Sequence, residues 1–395
     1  MRRAFLVRTS ASVGRVTTLL MEPCSDDAVA EMERDFGVIV RCVPTEKPSG
    51  RDLSRAVRRW SSSARDFVRD LESRERFDFV LVENVENCQL VAETVSSRMG
   101  VDMDDVESVG VLQHLRLEWT KNLAIDTSDR LAWLPWAFRR VLIPLRRTPK
   151  LLGQSGRMLA TWVRLRRLQR WALDHCDLVL VASESDRELL GDRRNVSVVP
   201  NGFDLLPDER EATATPRHGG NRIAFWGSMF YGPNGDGAKW LVQDVVPELR
   251  DLGVNASVLI IGNGGSELGL PSMPGVEVTG FVDDLASLLG EVDAALVPLR
   301  MGTGTRIKIL EAWAKGIPVV STTVGAYGLD ARHGHDLLIG DDPRAFAAAV
   351  HTVLSDTALA AALATNGRRR VQDMTWDRSA ESLRYALEKQ IGAKG

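Results

Sequence analysis

The sequence has little cysteine, and its cysteines are not placed for disulfides or for zinc. The four, Cys24, Cys42, Cys88 and Cys176, are isolated, with no C-x-x-C pair and no histidine at metal-ligand spacing. Disulfide frameworks and structural zinc sites both need cysteines in paired or closely spaced sets. The pattern therefore predicts a reduced chain without structural zinc.

Long apolar runs are also missing. No stretch reaches the roughly 20 apolar residues of a transmembrane helix. The run Ala4–Val7, which follows Met1-Arg2-Arg3, is too short for the apolar core of a signal peptide. These absences predict a protein that works in the cytoplasm, or peripherally on the cytoplasmic face of a membrane.

An excess of charge of one sign is absent as well. The 50 Lys and Arg residues are balanced by 53 Asp and Glu, which leaves a net charge of -3. A chain so balanced has no global attraction to nucleic acid, and we expect no nucleic-acid partner. Its 395 residues are too many for one ordinary core and predict two domains.

Short apolar runs, separated by helical patterns, recur along the first half of the chain. Continuous apolar runs of this length are typical of parallel strands that helices cover on both faces. The alternation predicts a doubly wound α/β domain over residues 1–206. The predicted strands of this domain are Ala4–Val7, Val38–Val40, Phe79–Val82, Val109–Leu112, Leu178–Val181 and Val196–Val199.

A polar stretch over residues 207–221, rich in Pro, Thr and Gly, resembles an interdomain linker. A second series of apolar runs follows it and predicts a second Rossmann-like domain over residues 207–372. The sequence thus favours two such domains that face each other across a cleft. The predicted strands of the second domain are Arg222–Trp226, Ala256–Ile261, Val276–Val278, Ala294–Val297, Pro318–Ser321 and Leu337–Ile339.

The segment from Pro298 to Thr322 carries the clearest chemistry. It reads as a strand end, a glycine-rich loop with Gly302 and Gly304, and a helix from about residue 306 to 315. Glycines allow a close backbone approach, and the free N–H groups of a helix N-terminus favour an anion. With Arg306 and Lys308 beside them, a diphosphate is the expected ligand. Glu311 lies deeper in the helix, where its carboxylate suits the two hydroxyls of a ribose.

This segment closely resembles the donor-site signature of glycosyltransferase family 4, whose members are retaining enzymes of the GT-B fold. The family pattern is Glu-x7-Glu, then Ala, Gly-x-Pro and Val-Val. Glu311 matches the second Glu, which binds the donor ribose, whereas the first falls on Thr303. The form Gly-Thr-Gly-Thr-Arg-x-Lys-x-Leu-Glu-Ala is similar to a recurrent subgroup. The resemblance implies a donor site formed by Gly227, Val282, Thr303, Gly304, Thr305 and Glu311.

Further segments extend the resemblance from about Asp177 to the C-terminus. Phe225–Asn234 is similar to the opening of the family's second domain, and Gly280–Asp284 lies where the family holds the nucleotide base by backbone contacts near Val282. Asn263-Gly264-Gly265 is either part of that base site or a plain surface turn. The segment from Asp373 to Trp376 resembles the crossing back to the first domain, so residues 373–395 are expected to form a helix that returns to it.

His114 follows the predicted strand that ends at Gln113. In the family a histidine at the matching place lies near the transferring sugar and the acceptor, and the resemblance implies the same for His114. The aspartate that usually follows is Leu115 here. The alternative is a histidine that only completes the hydrogen bonds of a strand end.

A basic segment spans residues 130–170, with eleven Lys or Arg residues and no Asp or Glu. Interleaved aromatic and Leu residues make it suitable for an anionic membrane or an anionic acceptor. The alternative is a helical face whose arginines cover apolar surface and pair with acids such as Asp102, Asp104 and Asp105.

The resemblance implies a hexosyltransferase-like enzyme that moves a sugar from a nucleotide diphosphate donor to an acceptor hydroxyl with retention of configuration. Arg306 and Lys308 are expected to stabilise the leaving diphosphate, so we expect neither a metal nor another cofactor. Apart from Asp102-Met-Asp104, which we expect on a polar loop, the sequence has no Asp-x-Asp motif beside a suitable strand end. The alternatives are a nucleotide-sugar hydrolase or epimerase, and a non-catalytic protein that binds through the basic segment.

Overall fold

The structure, a computed structural model, groups the chain into two compact units. The first comprises Met1–Val106, Arg164–Gly202 and Trp376–Gly395, and the second comprises Glu107–Val163 and Phe203–Thr375. The described residues are 2–20, 26–36, 38–42, 62–83, 85–103, 106, 108, 111, 113, 149–191, 193–205, 220–302 and 306–392.

The first part of the chain alternates strands and helices, as the apolar runs predict. Two parallel sheets form, one of β1 and β2 and one in the order β3-β4-β5-β6. The strands are β1 (Thr17–Leu20), β2 (Ile39–Cys42), β3 (Phe79–Glu83), β4 (Arg98–Asp102), β5 (Leu178–Val181) and β6 (Val196–Val198). The helices are α1 (Arg2–Ala11), α2 (Asp26–Phe36), α3 (Ser62–Glu75), α4 (Val85–Ala92), α5 (Pro149–His175) and α6 (Glu184–Leu190).

Two predicted strands are wrong. Ala4–Val7 lies inside helix α1, where Phe5 and Leu6 pack into the cluster that contains Trp376. In the run Val109–Leu112 the structure describes Val111, which is helical and not in a strand, as is Gln113 after it. A four-residue apolar run fits a buried helix face as well as a buried strand, so the pattern does not distinguish them.

The second unit contains one parallel sheet of six strands in the order β12-β11-β10-β7-β8-β9. Two neighbouring strands of this sheet, β10 and β11, are buried along their whole length, as expected of a sheet covered on both faces. The strands are β7 (Arg222–Trp226), β8 (Ser257–Ile261), β9 (Val276–Gly280), β10 (Ala294–Val297), β11 (Val319–Ser321) and β12 (Leu338–Ile339).

Helices cover this sheet and complete its core around Phe225, Trp313 and Phe346. The helices are α7 (Gly232–Trp240), α8 (Val246–Asp251), α9 (Leu285–Gly290), α10 (Ile307–Ala314), α11 (Pro343–Ser355) and α12 (Thr357–Gln372). The last helix, α13 (Trp376–Ile391), groups with the first unit. No single helix in the described ranges is long and apolar enough to cross a membrane, although α11 and α12 pass that test as a pair bent by 100°.

The strand order positions the site. Both units are α/β with parallel sheets, which is the predicted fold class. In the second unit the chain starts in the middle with β7, runs outward to β9, and returns to the other side of β7 with β10. In open parallel sheets, ligands bind beyond the carboxyl ends of the strands where the order reverses. Here that place lies between the loops that follow β7 and β10.

Candidate functional site

The loops after β7 and β8 approach each other backbone to backbone. Gly227 follows β7 with a φ of 136°, and its N–H donates to the carbonyl of Ile261 at 2.9 Å. A Cβ on Gly262, whose φ is 127°, would lie only 2.1 Å from the Gly227 carbonyl oxygen. Both positions therefore require glycine, and the loop after β7 is held flat at the carboxyl edge of the sheet.

The loops after β7 and β10 are tied together by an ion pair. Asp236 on α7 accepts from Arg300 Nε at 3.0 Å and from Arg300 Nη2 at 2.9 Å. Arg300 begins the loop after β10, and its guanidinium carbon lies 5.4 Å from the centre of the Trp240 ring. The Asp236 side chain is only 4% exposed, and such a bidentate pair fixes direction as well as distance. The two edges of the site are thereby held in register.

Lys308 lies in the first turn of α10 and reaches toward Gly227. A Cβ on Gly227 would lie 3.1 Å from Lys308 Nζ and 2.9 Å from Asn234 Nδ2. Burial, followed by the positive charge of Arg306, lowers the pKa of Lys308 to about 8, against the opposing effect of Glu311. The ammonium group lies 5.9 Å from the centre of the Phe225 ring, and no hydrogen bond or ion pair to it is seen within the described residues. An anionic ligand beside Gly227 would form an ion pair with it.

Arg306 and Glu311 are held by specific contacts. Arg306 is buried, and its guanidinium lies 3.4 Å from the Val324 carbonyl oxygen in the loop after β11 and 3.3 Å from the Cβ position of Gly302 in the glycine-rich loop. The carboxylate of Glu311 accepts a hydrogen bond from Trp226 Nε1 at 2.7 Å. Arg306 therefore braces the glycine-rich loop, and Trp226 fixes the orientation of Glu311.

The other predicted site residues lie apart or outside the described ranges. Val282 follows β9, two strands from β7, and is half-buried against the core of the unit. Thr303, Gly304, Thr305 and His114 are outside the described residues. Gln113, which precedes His114, accepts from the Gly302 N–H at 2.9 Å. The structure thus brings Gly227, Arg306, Lys308 and Glu311 together at the reversal of strand order.

Three functional candidates were missed by sequence reasoning: Trp226, Asn234 and the pair Asp236–Arg300. Asn234 is buried in the first turn of α7 and donates through Nδ2 to the Ser228 carbonyl at 2.8 Å. Trp226 and Asp236 are held by partners far along the chain, whereas Asn234 bonds within its own loop. The sequence contains one indication of these residues, which is that they lie close to the glycines at the start of each loop.

The basic segment is described from residue 149 onward. Arg157, Arg164, Arg167 and Arg170 on α5 are exposed, and Arg164 pairs with Glu86. Of the acids expected as partners, Asp102 is buried, and Asp104 and Asp105 lie outside the described residues.

Part of this chain matches known proteins by sequence. Residues 220–356 match the model of the family Glycosyl transferases group 1. A D-inositol 3-phosphate glycosyltransferase of Salinispora arenicola (strain CNS-205) is 33% identical over 115 residues, 29% of this chain and 25% of that protein. One from Rhodococcus opacus (strain B4) is 31% identical over 103 residues, 26% of this chain and 23% of that protein. The matching segment spans about a quarter of the length of these curated relatives.

Solved structures match over nearly the whole chain. Sucrose-phosphate synthase from Thermosynechococcus elongatus has a TM-score of 0.62 at 15% identity, covering 99% of this chain and 92% of that one. Anabaena Alr3699/HepE in complex with UDP has a TM-score of 0.60 at 14% identity, covering 98% and 95%. At such low sequence identity, the structural similarity shows the fold alone. That fold is GT-B, with two Rossmann-like α/β domains. Together with the family match over residues 220–356, it supports a glycosyltransferase.

Proposed function

We propose that this protein transfers a hexosyl group from a nucleoside diphosphate donor to an acceptor hydroxyl, with retention of the anomeric configuration. The observation that carries the proposal is the position of Lys308. Lys308 belongs to the first turn of α10, at the point where the strand order reverses. Its ammonium group lies beside the backbone of Gly227, which has no side chain. The Anabaena protein was solved with UDP and with UDP-glucose, which makes a uridine diphosphate sugar the first donor to test.

The reaction requires positive charge near the diphosphate leaving group. As the bond between the anomeric carbon and the diphosphate oxygen breaks, the electron pair stays on that oxygen. The amide groups at the start of α10 and the Lys308 ammonium favour this charge, while the Arg306 guanidinium lies close to Gly302 in the loop that leads into α10. Removing one preorganised donor of this kind typically costs about 100- to 1,000-fold in turnover.

These cationic and dipolar groups also underlie our proposal that the transfer needs no divalent metal. A metal in other transferases neutralises the leaving diphosphate, and here Lys308 and the helix N-terminus are proposed to do so. For the acceptor side, His114 is proposed to lie near the transferring sugar. None of the contacts among the described residues points to a particular acceptor.

Glu311 provides the test of donor binding. We propose that its carboxylate, already oriented by Trp226, accepts hydrogen bonds from the ribose hydroxyls. Glu311→Ala should weaken UDP binding in calorimetry without unfolding the protein. Asp244→Ala removes an exposed carboxylate of the same unit and serves as the matched control. An unchanged dissociation constant for Glu311→Ala would remove the ribose role.

Transfer must then be separated from hydrolysis. Incubating the donor with and without an acceptor, and analysing the sugar product, distinguishes them. A sugar that appears on the acceptor supports transfer. Free sugar at the same rate in both reactions would instead support a nucleotide-sugar hydrolase.

A further inference from the structure

Exposed aromatic side chains collect at the carboxyl edge of the second unit's sheet. Phe230 is 70% exposed, Tyr231 50% and Phe281 68%. They are the exposed aromatic residues of this unit within its described ranges, and they lie in the loops directly after β7 and β9. Scattered exposed apolar groups are ordinary, but such a cluster beside a candidate site indicates a binding surface.

Phe230 is supported by bare backbone. A Cβ on Gly264 would lie 3.0 Å from Phe230 Cγ, 3.0 Å from Cδ1 and 3.1 Å from Cε1, so the ring lies against this glycine. Gly264 has a φ of 83°, which is strained for other residues. One side of the ring is therefore covered by the loop after β8, while the rest of it is open to a ligand.

The loops around this ring are fixed by hydrogen bonds between backbones. The Met229 N–H donates to the Asn263 carbonyl at 2.7 Å, and the Gly262 N–H donates to the Gly280 carbonyl at 2.7 Å. These bonds join the loops that follow β7, β8 and β9. The ring of Phe230 thus stands on a preformed surface, and little conformational freedom is lost when it is used.

The charge around the ring selects the kind of ligand. Residues 251–299 contain no Lys or Arg, whereas Glu267, Glu277, Asp283 and Asp284 are all exposed there. An anionic lipid surface would be repelled at such an edge. A flat, uncharged aromatic ring stacks well on an exposed phenyl group, and nucleobases do so irrespective of sequence.

The same loop links this ring to the anion site. Gly227 faces Lys308, and Phe230 follows it by three residues, a span of at most about 11 Å. The phosphates and the base of a single nucleotide can therefore be held by one loop. In this arrangement the uncharged base lies at the negatively charged edge of the sheet, and the diphosphate lies near the cationic groups.

We propose that the exposed face of Phe230 is the stacking platform for the nucleobase of the donor. This proposal rests on the proposed function, since it assumes that a nucleoside diphosphate binds beside Lys308. It assigns Phe230 to base binding, which the sequence analysis attributed to backbone groups near Val282.

The test compares the affinity for a nucleoside diphosphate with the affinity for inorganic pyrophosphate, which has no base. UDP, GDP, ADP and inorganic pyrophosphate are titrated calorimetrically into the wild type, Phe230→Ala, Phe230→Tyr and Tyr385→Ala. Tyr385 is 72% exposed on α13 and serves as the matched control. We expect Phe230→Ala to weaken the best-bound nucleotide about 5- to 150-fold, with pyrophosphate affinity unchanged. Phe230→Tyr, which keeps the aromatic face, should bind like the wild type, and so should Tyr385→Ala.

Two results would overturn the platform. An unchanged nucleotide affinity in Phe230→Ala would remove it, and equal losses for nucleotide and pyrophosphate would make Phe230 a support of the loop only. Co-sedimentation with neutral phosphatidylcholine vesicles tests the alternative occupant. Vesicle binding that Phe230→Ala abolishes, with nucleotide affinity unchanged, would assign the ring to a membrane. If the wild type binds none of the three nucleotides, the proposed function itself fails.

Discussion

Replacing Trp226 with phenylalanine removes one hydrogen-bond donor from the candidate site and keeps most of the ring volume. Trp226 is the last residue of β7, is 3% exposed, and donates through Nε1 to Glu311 Oε2 at 2.7 Å. The smaller phenyl ring also leaves part of the buried indole site unfilled. The carboxylate of Glu311 loses the contact that selects its orientation.

The size of the effect follows from that contact. A hydrogen bond to a charged group contributes about 1.5–3 kcal/mol to stability, so the free energy of unfolding should fall by at least about that amount, because the lost packing of the indole adds to it. For binding, an unrestrained Glu311 must be ordered by the ligand, at about 0.5–1.5 kcal/mol for one side chain. We therefore expect UDP affinity to fall about two- to twelvefold.

The assay uses the ribose hydroxyls as the discriminating group. UDP and its 2′,3′-dideoxy analogue are titrated into the wild type, Trp226→Phe, Glu311→Ala and the double variant. If Trp226 acts through Glu311, the single variants weaken UDP and leave the dideoxy analogue unaffected. The double variant should then resemble Glu311→Ala, because the two changes remove one shared interaction. Equal losses for both nucleotides, or fully additive losses, would refute the reasoning.

The remaining predictions concern charge. Because diphosphate binding needs a protonated Lys308, whose pKa in the free protein is about 8, affinity should be full below pH 8 and fall up to about tenfold per unit above it. In calorimetry, Lys308→Met should bind the diphosphate weakly, and its affinity should not show this decrease with rising pH. Arg306→Ala and Lys308→Ala should each lower kcat more than they weaken UDP binding, and wild-type turnover in both would place the diphosphate elsewhere. EDTA should leave transfer intact, whereas a loss that magnesium or manganese restores would contradict metal independence. Neutralising Arg164, Arg166 and Arg167 should weaken co-sedimentation with anionic liposomes at low salt and less at high salt, and equal, negligible binding of the wild type to anionic and neutral vesicles would rule the surface out.

The sequence by itself determined which segments form the second unit's strands and the helix at the candidate site. Ala294–Val297 was predicted with its observed bounds, and the helix expected from about residue 306 to 315 is Ile307–Ala314. These elements are encoded locally, by continuous apolar runs and by glycines at the turns between them. The same signal failed at Ala4–Val7 and at Val111, which are helical, since a run of four apolar residues satisfies a buried helix as well as a buried strand.

Only the tertiary structure decided how these elements combine into a site. The order β10-β7 creates the reversal at which the loops meet, and no local pattern specifies strand order. Trp226 and Glu311 are 85 residues apart, and Asp236 and Arg300 are 64 apart. The lowered pKa of Lys308 likewise depends on burial that packing alone produces. Distances, orientations and desolvation arise between residues distant in the chain, so they are properties of the folded arrangement and not of any segment within it.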